Sequence, residues 1–478
     1  MERNYRTYMH IMGKCSRDPN EFNMICEKIR DIAKQYNCKC TSILRDITEE
    51  THITYTTIIF MNPKSLDEEK NITDGIIAEL EKFACILECE SQEKKAEFLV
   101  SMDKQINELE KKSIPNFLII PTYACNLSCT YCYEKSYEIK KVKSDEYKTI
   151  IDKQFEFISE IIREFRECVN DKVNMNDIKV TLMGGEPLMK SNYETILYAL
   201  NKIKENGYSF NVITNGVDLE HYVDDLKNFN VDYIQVTLDG PKEVHDIRRV
   251  FNNGDGSFDK IFKNIRLALD SNIKVVVRTN VDNENLELLP QLAELLFDNF
   301  NNYPNFSSYI YILQDGGCIG TKDILNENVA INKIYELEVK NPKMKIFKKR
   351  FHGFKFINGI LSDESFVPLL RHCAAETNQY IVDYKGYVYK CWHGIGNEGN
   401  SIGRFMPDIE IKDEYRKRWT DRTINTIDKC KKCKYRYICG GGCPGVATNN
   451  GILEPEKDYC VDYEMIVSKL ILNTINRG

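Results

Sequence analysis

The spacing of apolar residues divides the chain into stretches with different rhythms. Between 1 and 112, Phe22, Ile25, Ile29, Ile32, Ala33 and Tyr36 recur at helical intervals and predict one amphipathic helix. A strand-like "YRTYMHI" precedes it, and two strand candidates, "CKCTSIL" and "THITYTTIIFM", follow. A second helix is predicted near 66–83, then a short strand "ACILEC" and a charged helix at 92–112. The order reads as a small N-terminal α+β domain, β-α-β-β-α-β.

From 113 the rhythm changes. The apolar runs "NFLIIPT", "IKVTLMGG", "FNVITNG", "YIQVTLDG", "IKVVVRTNV" and "YIYIL" are short. Amphipathic stretches around 144–168, 190–206, 219–228, 257–271 and 285–300 separate them. Alternation at this spacing predicts an α/β fold with parallel strands joined by helical crossovers. Six units are too few to close an eight-stranded barrel. An open, partial (β/α)6 barrel over 113–330 is therefore expected, with ligands at the C-terminal ends of its strands. Residues 331–372 read as mixed helix and loop, connecting to a cysteine-rich 373–478.

Charge and composition exclude several classes of protein. A net charge of −7 offers no broad basic surface for nucleic acid. No apolar run reaches the length of a membrane span. The start, "MERNYRTYMHIMGK", lacks the apolar core of a signal peptide, so a cytoplasmic location is expected. Cysteine is the anomaly, with 18 in the chain. Without an export signal they argue against a disulfide scaffold and leave thiolates for soft metals, iron–sulfur clusters above all.

The first group, "CNLSCTYCYE", places Cys125, Cys129 and Cys132 on the loop after the first barrel strand, as C-x3-C-x2-C. A closed structural zinc site wants four ligands, so three suggest a centre with one position open. A zinc loop with a distant fourth ligand is the plainer alternative. In spacing and position the loop resembles the radical S-adenosylmethionine (radical SAM) superfamily. That resemblance implies a [4Fe–4S] cluster on the three cysteines, with S-adenosylmethionine on the open iron and a 5′-deoxyadenosyl radical as the reactive species. It also implies that the backbone at Tyr131 faces adenine; on its own, a tyrosine there merely packs.

Motifs at the later strand ends agree with this resemblance. In "MGGEP", Gly184 and Gly185 allow close backbone approach to a ligand, and Glu186 can bind the ammonium of methionine. In "ITNG", Thr214 and Asn215 can hydrogen-bond ribose or substrate. In "VTLDGPKEVHDIRR", Thr237 stands where the family commonly has a serine contacting S-adenosylmethionine. Arg249 reads as an anion clamp or a structural ion pair, Arg278 is equally open, and His245 reads as a capping residue.

The tail carries Cys373, Cys391, Cys430, Cys433, Cys439, Cys443 and Cys460. Taken alone, these fit two zinc ribbons. Their spacings resemble the seven-cysteine SPASM domain of radical SAM enzymes that modify peptides and proteins. The resemblance implies two auxiliary [4Fe–4S] clusters, a nearer one on Cys373, Cys391 and Cys443 and an outer one on Cys430, Cys433, Cys439 and Cys460. With the radical cluster that makes three. Trp392 stands where sulfatase-maturing relatives have an aspartate, and Val367 stands near the place of their additional cysteine. A backbone group, water, the remote Cys318 or a substrate cysteine could cap the nearer cluster. The remaining Cys15, Cys26, Cys38, Cys40, Cys85, Cys89, Cys168 and Cys318 read most simply as buried small hydrophobes.

The resemblance implies a radical-dependent crosslink, a thioether or another side-chain bond, in a ribosomally made precursor peptide. A low-potential electron donor of flavodoxin or ferredoxin type would supply the electron. The N-terminal domain would recognise the peptide or a partner. The alternative is oxidation of a Cys or Ser residue in a protein substrate, as in anaerobic sulfatase maturation. A scaffold with inert clusters is a third reading, which cleavage of S-adenosylmethionine would exclude. No nucleic acid or membrane partner is expected.

Overall fold

The computed structural model describes residues 7–470 apart from 17–18, 50–51, 62, 64, 82–91, 141, 143, 170–172, 314–324, 351–367, 434, 450–451, 458–459, 461–462, 464 and 468. The described residues form two compact units, one built mainly on the chain up to Glu108, the other on Leu109–Phe351 with Leu370–Ile466.

The first unit contains β1 (Thr7–Ser16), α1 (Pro19–Gln35), β2 (Lys39–Glu49), β3 (His52–Met61) and α2 (Leu66–Glu81). Its strands form an antiparallel sheet in the order β1-β3-β2. The helical stripe is where periodicity placed it: Ile29, Ile32 and Ala33 of α1 are buried. At Gly75 of α2 an added Cβ would lie 2.6 Å from the Tyr36 ring, so glycine permits the close passage of the two segments. The expected last strand, "ACILEC", lies outside the described residues, and α3 (Gln92–Lys111) follows.

The second unit begins with β4 (Asn116–Ile120), α4 (Ser144–Val169), β5 (Lys179–Leu182), α5 (Tyr193–Glu205) and β6 (Ser209–Thr214). It continues with α6 (Val223–Asn228), β7 (Tyr233–Thr237), α7 (Lys242–Arg248), α8 (Phe258–Asp270), β8 (Val275–Val281), α9 (Leu289–Phe300) and β9 (Phe306–Ile312). These six strands are the six apolar runs of the sequence, all parallel. Helices cover them: α8 alone buries Phe258, Ile261, Ile265, Ala268 and Leu269. Successive positions of β4, β6 and β7 are mostly buried whichever face they point to, which is why the runs are continuously apolar rather than alternating.

The sheet extends past both ends of the expected six strands. The stretch read as mixed helix and loop holds α10 (Glu327–Lys340) and β10 (Phe347–Lys349), which pairs parallel with β9. On the other side β11 (Gln379–Asp383), from the cysteine-rich tail, pairs parallel with β4 along its whole length. Antiparallel β12 (Tyr387–Tyr389), β13 (Gly403–Arg404) and β14 (Glu410–Ile411) follow. The order is β10-β9-β8-β7-β6-β5-β4-β11-β12-β13-β14. Barrel and tail thus share one sheet. No helix among the described residues is long and apolar enough to cross a membrane.

Candidate radical and iron–sulfur site

Cys125, Cys129 and Cys132 lie on the loop leaving the C-terminal end of β4; Cys129 is buried and the other two are half-buried. The loop is tied to the segment after α7 by Ser128 N donating to Val250 O (2.8 Å) and Thr130 N to Arg248 O (2.9 Å). Burial, then the charge of Glu186, pushes the Cys125 thiol up to about 12; burial, then Glu134, pushes Cys132 up to about 11. Cys125 and Cys132 therefore favour the thiol form, and loading a cationic centre must release their protons.

Backbone N–H groups are aimed at these sulfurs. Leu127 N donates to Cys125 Sγ (3.4 Å), as does Asn215 Nδ2 (3.6 Å). The Glu134 amide does the same for Cys132. Donors fixed on sulfur stabilise thiolate and tune a cluster's potential. Among the described residues, no three Cys, His, Asp or Glu side chains are drawn together for a single metal ion. The donor set is soft sulfur, with amides on Cys125 and Cys132, which suits a multi-iron cluster rather than one hard cation.

The "GGEP" turn makes a close approach to backbone of the protein itself. At Gly185 (φ +50°) an added Cβ would lie 2.4 Å from Ala124 O and 2.7 Å from Tyr123 C. The close approach is to the backbone that leads into the cysteine loop. Gly185 N also donates to the carboxylate of Glu134, and Glu186 N to Ala124 O (2.8 Å). Glu186 itself is buried and already engaged: Thr214 Oγ1 donates to it (2.6 Å), as do Leu188 N (2.8 Å) and Asn215 N. Burial raises its carboxyl to about 7, against the pull of those donors. Thr214 also accepts from Gly216 N (3.0 Å), and Asn215 donates to Asn126 Oδ1 (2.7 Å). Within the protein, Glu186, Thr214 and Asn215 tie the ends of β5 and β6 to each other and to the cysteine loop.

Tyr131 does more than pack. Its hydroxyl donates to the fully buried Asp239 and accepts from Arg249 Nη1 (2.7 Å) and Asn280 Nδ2 (3.1 Å). Arg249 stands 4.0 Å from Asp239, which matches the ion-pair reading. His245, fully buried, accepts from Asp239 N (3.3 Å) at Nδ1 and meets Ser257 Oγ (3.1 Å) at Nε2. Burial, then Arg249 and Arg248, holds it well below the ordinary histidine range, so it is a neutral structural cap. Thr237 is buried at the end of β7, and Arg278 lies over the Tyr311 ring (4.3 Å) while donating to Asn280 Oδ1 (2.7 Å). Replacing Tyr131 by Phe leaves three buried polar groups short of a partner. An unfolding free energy lower by about 1–3 kcal/mol is expected, measured by urea titration with the slope unchanged.

The tail gathers its cysteines in two places. Cys373 is exposed at the surface, but the atoms crowding it and the charges of Glu376, Cys391 and Cys443 raise its thiol above its ordinary range, which places those groups in mutual electrostatic reach. Burial raises Cys439 to about 12, with Cys430 and Cys460 adding to it. The Gly441 and Gly442 amides donate to Cys439, and those of Gly445 and Val446 to Cys443. Gly440 (φ +67°) passes so close to Arg371 O that a Cβ would lie 2.5 Å away. Tyr311 of β9 feels the charge of Cys443, so this part of the tail faces the sheet's last barrel strand.

Sequence reasoning missed several residues here. Glu376 and Arg422, both fully buried in their side chains, pair at 2.6 Å. Glu376 follows Cys373 by three positions, the N3 place of a capping box, which was a legible signal. Lys390 is fully buried, donates to Thr377 O (2.8 Å) and lies over the Tyr380 ring (4.2 Å). Trp392 is 42% exposed. Among the remaining cysteines Cys26 and Cys38 are buried as expected, but Cys168 is exposed, at the end of α4 where the helix runs into solvent. Cys85, Cys89, Cys318 and Val367 lie outside the described residues, as do the side chains of Cys15 and Cys40.

The family model described as "Radical SAM superfamily" matches residues 119–296. Residues 119–296 are a radical SAM domain. Such a domain uses a [4Fe–4S] cluster and S-adenosylmethionine. Its matched span runs from β4 into α9 and holds the cysteine loop, the "GGEP" turn and the Tyr131 network. The chain is 25% identical over 338 residues to a GTP 3',8-cyclase of Clostridium perfringens, covering 67% of this chain and 95% of that protein. It is 22% identical over 374 residues to a cysteine-type anaerobic sulfatase-maturating enzyme of Clostridium novyi, covering 72% of this chain and 93% of the relative. The fold is similar to that of Streptococcus suis SuiB bound to precursor peptide SuiA: TM-score 0.50 and 16% identity, over 75% of this chain and 80% of SuiB.

Proposed function

We propose that this protein is a radical SAM enzyme that modifies a ribosomally made precursor peptide, forming a thioether or another side-chain crosslink. What supports this most is that Cys391 and Cys443 lie within electrostatic reach of Cys373, and Cys430 and Cys460 within reach of Cys439, in a tail whose strands β11–β14 continue the sheet of the radical SAM loop. Cys125, Cys129 and Cys132 would hold the radical cluster. Cys373, Cys391 and Cys443 would hold a nearer auxiliary cluster, and Cys430, Cys433, Cys439 and Cys460 an outer one. The bound clusters and S-adenosylmethionine supply the electron and the radical that removes a hydrogen atom. The protein's own contribution is position: the Glu186–Thr214–Asn215 lock and the Tyr131 hub fix the loop so that reacting groups meet in one geometry. A low-potential flavodoxin- or ferredoxin-type protein would deliver the electron.

SuiB, bound to a precursor peptide, exemplifies the substrate class. The sulfatase-maturating relative supports the second reading, oxidation of a Cys or Ser in a protein substrate. The exposed Trp392 directly after Cys391 disfavours it, because an indole cannot act as the proton acceptor such an oxidation needs. With three local cysteines, the nearer cluster leaves one iron for a soft donor. A cysteine-containing precursor peptide should therefore perturb that cluster's spectrum, and its Cys-to-Ala version should not. The product should be two hydrogens lighter with a thiol consumed, read by mass spectrometry and thiol titration. A fourth protein ligand on that iron with peptide bound would rule out thiolate capture and leave carbon–carbon crosslinking.

A further inference from the structure

Five tyrosines run in ring-to-ring contact away from the cysteine loop. Tyr133 directly follows Cys132 and lies within electrostatic reach of both Cys132 and Cys391. From it the ring centroids step 6.2 Å to Tyr137, 5.3 Å to Tyr123, 5.4 Å to Tyr384 and 6.4 Å to Tyr147. Tyr123 and Tyr384 are buried, and Tyr147 on α4 is partly open to solvent. Carboxylates accompany the chain. Tyr133 hydrogen-bonds to Glu134, and Tyr123 donates to Asp383 Oδ2 at 2.8 Å.

Buried tyrosines can fill a core without doing anything else. Phenylalanine would fill it without the cost of burying hydroxyls and the carboxylates that satisfy them. A buried phenol beside a carboxylate is also the arrangement that lets the ring give up an electron while its proton moves a short distance. We propose that Tyr133, Tyr137, Tyr123, Tyr384 and Tyr147 form a hole-transfer chain that carries an oxidising equivalent from the radical site to the surface when no substrate hydrogen is within reach.

The chemistry balances. A carbon radical takes the phenolic hydrogen of Tyr133; a C–H bond forms, the O–H bond breaks, and a neutral tyrosyl radical remains. In each following step the next ring supplies the electron and releases its proton, while the phenoxyl before it takes up one. Net movement is one hydrogen atom per step. At Tyr123 the departing proton passes to Asp383, while half-buried Tyr137 takes its proton from water, and Asp383 returns the proton when Tyr384 re-reduces the Tyr123 ring. At the surface the Tyr147 radical takes a hydrogen atom from a solution thiol, and two thiyl radicals couple to a disulfide. The function would protect the cysteine loop during unproductive turnover.

This inference rests on the radical chemistry proposed above, and one experiment separates the two. Cluster-loaded enzyme is reduced, freed of reductant, mixed with S-adenosylmethionine in deuterated buffer without peptide, and freeze-quenched. The wild type should show a tyrosyl signal by electron paramagnetic resonance, with slow relaxation because the radical is remote from the clusters. Tyr137→Phe should form as much 5′-deoxyadenosine but hold the radical at Tyr133, where nearby clusters speed its relaxation. In the wild type the 5′-deoxyadenosine should carry one solvent deuterium, which Tyr133→Phe should lose. Tyr193→Phe, outside the chain, should change neither readout. Formation of 5′-deoxyadenosine with no tyrosyl signal, or with identical signals in wild type and Tyr137→Phe, would overturn the chain and leave the radical assignment intact. Absence of 5′-deoxyadenosine would overturn both.

Discussion

Replacing Cys125, Cys129 and Cys132 together by alanine should abolish 5′-deoxyadenosine formation and lower bound iron by about four per chain, from about twelve to about eight, taking four per cluster. The fold should survive. The loop is held by Ser128 and Thr130 on the segment after α7, by Gly185 and Glu186 amides, and by the Tyr131 hydroxyl, none of which uses a cysteine sulfur. At Cys125 and Cys132 the change also removes groups that their surroundings disfavour as thiolates. Iron assay, S-adenosylmethionine cleavage and far-ultraviolet dichroism on the same preparation would check this. Undiminished cleavage in the triple variant would defeat the loop assignment. Iron near four in the wild type, with zinc in the tail, would defeat the three-cluster proposal.

Replacing Arg422 by alanine should be the most damaging single change in the tail. Its guanidinium donates to Glu376 (2.6 Å) and to Gly441 O (2.6 Å), and Glu376 in turn accepts from His372 N (2.8 Å) and Cys373 N (3.0 Å). One ion pair therefore joins the Cys373 segment to the glycines between Cys439 and Cys443. Breaking a fully buried pair leaves an uncompensated charge and costs about 3–5 kcal/mol. The variant should unfold earlier in denaturant and retain less iron in the tail. Arg422→Met combined with Glu376→Gln should recover part of the loss, because the amide oxygen still accepts the two backbone donors and no charge is stranded. A loss below about 1 kcal/mol in the single variant would mean the pair is solvated in solution.

The six barrel strands were legible because positions pointing to either face of β4, β6 and β7 are mostly buried, which leaves continuous apolar runs. Their motifs were legible because each sits at a strand end. What could not be read is pairing between segments distant in sequence. Nothing local announces that Gln379–Asp383 lies beside Asn116–Ile120, or that Tyr131 meets Asp239 and Asn280. Gly185 was legible as a demand for close approach, but the sequence does not say that the approaching group is Ala124 O. Glu186 was legible as a candidate site carboxylate, yet two of its three donors, Thr214 Oγ1 and Asn215 N, come from a strand end that only the fold brings to it. Short β10 lacks the length that marks a strand by periodicity.

The parallel pairing of β11 with β4 makes the cysteine-rich tail inseparable from the barrel. A chain cut before the tail would leave "NFLII", an apolar strand built for the sheet interior, as a bare edge with its amides and carbonyls unpaired. Such an edge recruits other chains. The last hundred residues therefore also act as a cap against self-association, and an accident of design that discarded the auxiliary cysteines along with their strand would yield an aggregate rather than a smaller enzyme.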